Sequence, residues 1–104
     1  MHFLRRTLLA EGRPAVVWGA GPTGKAFARE LVVAGTPVAA FVEVDPRKVG
    51  KRIHDAPVVP VESAGDFPGS LALGAVSGSE GRARLRALAA ELGFVEGRDF
   101  VAIA

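Results

Sequence analysis

The chain has 104 residues, 49% hydrophobic and 23% charged, the balance of an ordinary folded globule rather than a disordered chain. That length supports one domain, spanning 1–104, with one modest core, and excludes a cofactor domain joined to a substrate domain. Thirteen basic against eleven acidic residues leave a net charge of +2, and there is no cysteine, so no nucleic-acid partner, disulfide, thiolate nucleophile or cysteine metal site is indicated.

The first segment, Phe3 to Glu11, sets Leu4, Leu8 and Phe3 or Leu9 at helical spacing before Gly12. Its apolar run Leu8-Leu9-Ala10 stops at Glu11, too short for a signal-peptide core. No stretch approaches the roughly 20 apolar residues of a membrane span. Cytoplasmic residence is therefore expected. Ala15-Val16-Val17-Trp18 follows Pro14 and lacks polar alternation, which predicts a strand buried on both faces. From Thr23 to Ala34 the period becomes helical, with Gly24, Phe27, Ala28, Leu31 and Ala34 on one stripe. Pro22 before it and Gly35 after it supply the start and the stop.

A second buried strand is predicted over 38–44, stopped by Asp45-Pro46. Arg47 to Asp55 is polar and reads as a turn with a short helix. Val58-Val59-Pro60-Val61 predicts a third strand, placed at an edge because Pro60 cannot donate to a ladder. Leu71 to Val76 predicts a fourth, weakened by Gly74. Ser77 and Glu80 have capping-box spacing, opening a helix with Leu85, Leu88, Ala89 and Leu92 on one face and Gly93 at its end. Asp99 to Ala104 closes the chain as a fifth strand. Alternating strands and helices predict an α/β, three-layer, Rossmann-like domain with a mainly parallel five-stranded sheet in the order 3-2-1-4-5.

Gly19-Ala20-Gly21-Pro22-Thr23-Gly24 is a G-x-G-x-x-G turn between a predicted strand and a predicted helix. The first Gly permits the tight turn, the second lets a phosphate approach the backbone, and the third lets helix and strand pack closely. The free N–H groups and dipole of the helix start then attract an anion. Thr23 either adds a hydroxyl to that phosphate or caps the helix. Glu43 and Asp45 lie 19 and 21 residues after Gly24, where this fold places an acid that accepts hydrogen bonds from ribose hydroxyls. Glu43 is the preferred acid, because Asp45 precedes Pro46 and suits a turn cap. The charge of Glu43 opposes a 2′-phosphate and favours NAD over NADP. Arg47, Lys48, Lys51 and Arg52 form a basic cluster that either meets a ligand phosphate or is simply solvated. Ser77, Gly78 and Ser79 follow the fourth strand, beside the first turn at the switch point. They either leave room for a ribose or sugar or serve as a plain helix cap.

No catalytic or metal set is recognisable. Only His2 and His54 are present, and the absence of Tyr excludes a Tyr-x-x-x-Lys acid/base pair. Trp18 reads as core packing.

Val17-Trp18-Gly19-Ala20-Gly21-Pro22-Thr23-Gly24-Lys25, then Phe41-Val42-Glu43-Val44-Asp45-Pro46-Arg47-Lys48-Val49-Gly50, then Ala56-Pro57-Val58-Val59, resembles the small Rossmann-like module at the C-terminus of many bacterial family 2 glycosyltransferases. It is also similar to the N-terminal domain of sugar O-acyltransferases and to modules accompanying some methyltransferases. The resemblance implies that Gly19, Gly21, Gly24 and Glu43 are nucleotide-binding positions. It implies a non-catalytic nucleotide-binding module in a larger transferase, with a nucleotide sugar as ligand and a linked catalytic domain as partner. The charge of Glu43 makes NAD(H) the other expected ligand, and a second copy of the chain is the alternative partner. The family often has Asp where Glu43 stands, and Val-Gly-Ser where Ala75-Val76-Ser77-Gly78 stands. An oxidoreductase cofactor domain, a stand-alone regulatory binding protein and a ligand-free structural domain are the alternatives.

Overall fold

The computed structural model describes residues 12–103. The helix expected over Phe3–Glu11 lies outside these residues. Strand β1 (Ala15–Trp18) leads through the glycine-rich turn into helix α1 (Pro22–Val33) and strand β2 (Val38–Glu43). Two-residue strand β3 (Arg52–Ile53) and strand β4 (Ala56–Pro60) follow, then a 3-10 turn over Val61–Asp66. Strand β5 (Leu71–Ala75), helix α2 (Ser79–Glu91) and strand β6 (Phe100–Ile103) complete the domain.

The sheet order is β3-β4-β2-β1-β5-β6. Its five parallel strands β4-β2-β1-β5-β6 have the predicted 3-2-1-4-5 arrangement, which is the Rossmann-like topology. The sheet has six strands, not five, because part of the segment read as a turn with a short helix is the antiparallel strand β3, paired as Arg52↔Pro57 and Ile53↔Ala56. His54 (φ 51°) and Asp55 (φ 66°) form the loop between them. Positive φ at both central residues is what a two-residue hairpin needs to match strand twist. β4 is therefore covered at its start, while β3 does not reach Pro60.

β1 shows why its sequence lacks polar alternation. Ala15 and Val17 face α1, in a cluster with Ala28, Leu31, Phe41, Leu71 and Leu73. Val16 and Trp18 face the opposite layer, with Ala40, Val42, Ala72, Ala89 and Phe100. Trp18 is 1% exposed, and its ring meets Phe94 and Phe100 edge-on, with centroids 5.3 and 5.2 Å away, the favoured aromatic geometry. Gly74 is not a weak point of β5. A Cβ there would lie 2.9 Å from Cζ of Phe100 and 3.2 Å from Cδ1 of Leu85, so its bare backbone is what lets those side chains close over the strand. Arg13 clasps the starts of β5 and β6, donating to Ser70 O (2.8 Å), Gly69 O (3.3 Å) and Arg98 O (2.8 Å).

Candidate functional site: a cleft over the glycine-rich turn

The chain leaves β1 toward β2 on one side and returns to β5 on the other. The carboxyl ends of these strands therefore form the switch point where open α/β sheets bind ligands. A cleft of about 270 Å³ lies there, walled by Gly19, Gly21, Pro22 and Thr23 after β1, Glu43, Val44 and Lys48 at and after β2, and Val76 and Ser77 after β5. Val61, Leu85 and Leu88 add apolar wall, and Trp18 underlies it.

The three glycines of the turn have different reasons to be glycine. Gly19 has φ 119°, and a Cβ there would lie 2.8 Å from Ala75 O. A Cβ on Gly24 would collide with the Gly19 carbonyl. Both are requirements of backbone packing. Gly21 has φ −86° and ψ −168°, an extended conformation open to any residue. An added Cβ would meet only Nζ of Lys48, at 3.6 Å, an ordinary contact. Steric packing makes no demand for glycine at this position.

Gly21 is also the N-cap of α1, without a side-chain cap, and the first intrahelical bond runs from Lys25 N–H to Gly21 O (2.9 Å). The helix start is left with unmet donors, less the one that Pro22 removes. Thr23 makes no capping bond to this terminus.

Glu43 is 9% exposed. Its Oε1 accepts from Ala20 N–H (2.9 Å) and its Oε2 from Asp45 N–H (3.0 Å). The acid expected to meet a ribose thus also ties the glycine-rich turn to the end of β2, while each oxygen keeps a second lone pair. Asp45 is outside the cleft wall and caps the next turn. Its Oδ1 accepts from Arg47 N–H (3.0 Å), and the Arg47 guanidinium grips it at 2.9–3.1 Å. Chiefly through that side-chain bond, helped by the backbone N–H, Arg47 holds the Asp45 carboxyl at about 2.

Because that value lies below the unfolded one, the stabilisation is present above about pH 4 and is lost as pH falls through about 2. Arg47→Gln is expected to raise the titration midpoint of Asp45 part of the way back to the ordinary carboxylate value, since the backbone N–H remains. A carboxyl chemical-shift titration by NMR reads it, and an unmoved midpoint would refute the pairing.

Ser77 lines the cleft, but Gly78 and Ser79 stand outside its wall. The capping box does not form: α2 starts at Ser79, with Gly78 as N-cap and no side-chain cap. Gly78 takes φ 88°, a conformation that glycine adopts freely, and this sets the turn. Of the other predicted positions, Ala20 supplies an N–H to Glu43 and Gly24 packs against the turn. The basic cluster disperses: Arg47 pairs with Asp45, Arg52 donates to Asp55 O, and Lys51 is exposed outside the cleft wall, so only Lys48 enters it. Val44, Val61, Leu85 and Leu88 were not anticipated as cleft residues. Among the described residues no group of three or more His, Cys, Asp or Glu is placed to hold a metal. No helix of the described chain is long and apolar enough to cross a membrane.

No protein-family model matches the chain, and no curated protein matches it. Solved structures do. A Rex-family repressor, RSP, is 17% identical with a TM-score of 0.69, over 98% of this chain and 58% of the repressor. The same repressor in complex with β-NADH gives 17% and 0.67, over 99% and 59%. UDP-D-quinovosamine 4-dehydrogenase from Vibrio fischeri gives 17% and 0.65, over 88% of this chain and 78% of the enzyme. The chain thus spans a little under three-fifths of the repressor's length. At this identity the likeness is one of fold: a Rossmann-like α/β domain.

Proposed function

We propose that this domain is a nucleotide-binding module whose ligand, NAD(H) or a nucleotide sugar, lies across the turn Gly19–Gly24 with its ribose at Glu43. Gly21 carries the reading. Backbone packing accounts for Gly19 and Gly24 but not for Gly21, whose one structural role is an N-cap that Ser, Asp or Asn would fill as well or better, in a cleft beside a helix start with no side-chain cap. A phosphate needing close approach to the backbone supplies a reason for glycine. The negative charge of Glu43 favours a free ribose diol over a 2′-phosphate. The repressor solved with β-NADH shares the fold, which supports NAD(H) as the first ligand to try.

The resemblance to glycosyltransferase C-terminal modules supports a non-catalytic part of a larger transferase. The fold shared with a dehydrogenase acting on a UDP-sugar supports a second reading, the cofactor domain of an NAD-dependent oxidoreductase whose catalytic part is elsewhere. The mass of the native protein in its source cells separates a fused module from a stand-alone one.

A thermal-shift screen with NAD(H), NADP(H), UDP- and GDP-sugars, coenzyme A and S-adenosylmethionine tests the ligand. A true ligand at 100 times its Kd adds about 2.7 kcal/mol of stability, roughly 10–20 °C for a domain of this size. NADP(H) is expected to shift the midpoint less than NAD(H). No shift with any of them at millimolar concentration would refute nucleotide binding.

A further inference from the structure

Lys48 is the one cation in the cleft wall among the described residues. Its place is set by the turn after β2, where Asp45 caps Arg47 N–H and Lys48 N–H donates to Asp45 O at 3.0 Å. The chain folds back, and the ammonium comes to 3.9 Å from Oε1 of Glu43 with 41% of its side chain exposed. The same ammonium stands over Gly21, 3.6 Å from where a Cβ would be. It is therefore within reach of both the acid and the bare backbone of the turn.

We propose that Lys48 neutralises the diphosphate of a ligand laid over Gly21, making the cleft selective for nucleoside diphosphates with a free ribose diol over the bare nucleoside. This rests on the nucleotide-binding reading above. The helix start alone offers few donors, because Pro22 contributes none. A diphosphate also has to lie near the ionisable carboxyl of Glu43, and like charges at that range repel. An ammonium within reach of both offsets that repulsion. Its contact with Glu43 is long and half-exposed, a loose pair that readily turns to a stronger anion. A 2′-phosphate would compete with the diphosphate for that single ammonium. It would add charge on the Glu43 side, while Arg47 is already paired with Asp45.

The test is an amide chemical-shift titration, which reads millimolar affinities, of wild type, Lys48→Gln and Lys51→Gln with adenosine, uridine, ADP, UDP and NAD+. Wild type is expected to bind a diphosphate more tightly than its nucleoside. Lys48→Gln should weaken the diphosphate about ten- to hundredfold, the range for a hydrogen bond to a charged group, and leave the nucleoside unchanged. Lys51→Gln removes the same charge outside the cleft and should change neither. If Lys48→Gln binds the diphosphate within about twofold of wild type, or Lys51→Gln weakens it equally, the proposal fails while nucleotide binding stands. If wild type binds none of the five, both fail.

Discussion

Gly21→Val is expected to reduce nucleotide affinity by at least about 100-fold while the domain stays folded, with stability within about 1 kcal/mol of wild type. The two halves of that expectation have separate causes. Stability is spared because the backbone at Gly21 is extended, with φ −86° and ψ −168°, where a β-branched residue is at ease. The only atom near a new Cβ is the mobile end of Lys48, at 3.6 Å. Valine is a poor N-cap, but it narrows the unfolded ensemble relative to glycine, and the two effects oppose each other. Binding is lost because the isopropyl group would stand over the helix start where the phosphate has to lie. Isothermal titration with the ligand found by the thermal screen, beside thermal unfolding of both proteins, measures the two halves together. A folded Gly21→Val domain that binds as wild type does would move the ligand off this turn.

What the sequence revealed and what it hid divide along physical lines. The strand Ala15-Val16-Val17-Trp18 was legible because a strand covered on both faces needs no polar positions, and the two clusters it feeds lie on opposite sides of the sheet. Helix α1 was legible from its stripe, of which Gly24, Ala28 and Leu31 are buried. The order of the parallel strands followed from crossover handedness.

Strand β3 was hidden because its hairpin uses His54-Asp55 rather than the Asn-Gly or Asp-Gly that signals a two-residue loop. The clasp of Arg13 was hidden because its partners are 56–85 residues away in sequence. In the cleft, the glycine spacing pointed to the turn but could not separate its members. Only the three-dimensional surroundings show that Gly19 and Gly24 serve packing and Gly21 does not. Lys48 was one of four basic residues between positions 47 and 52. The Asp45 cap and the following turn single it out, and no periodicity encodes that.

The contrast within the turn gives the second large effect. Gly24→Ala is expected to destabilise the domain by about 3 kcal/mol or more, lowering the unfolding midpoint by roughly 12–24 °C. Helix propensity alone predicts the opposite sign, since alanine is better than glycine inside a helix by about 1 kcal/mol. The contact decides it. A Cβ at Gly24 would collide with the carbonyl oxygen of Gly19, lie 2.8 Å from its carbonyl carbon and 3.5 Å from Cγ1 of Val17. The obstructing atoms are mainly backbone, so no rotamer change relieves them. Nor can the turn retreat easily, because Gly19 donates its N–H to Val42 O at 2.8 Å and is itself packed against Ala75 O. Either α1 lifts off the sheet, exposing Ala28 and Leu31, or the turn breaks its bond to β2. A total stability of about 5–15 kcal/mol leaves room for the variant to remain partly folded at low temperature, where circular dichroism during heating measures the shift. A Gly24→Ala domain that melts at or above the wild-type midpoint would mean that helix propensity outweighs the collision, and that α1 is free to stand away from the turn.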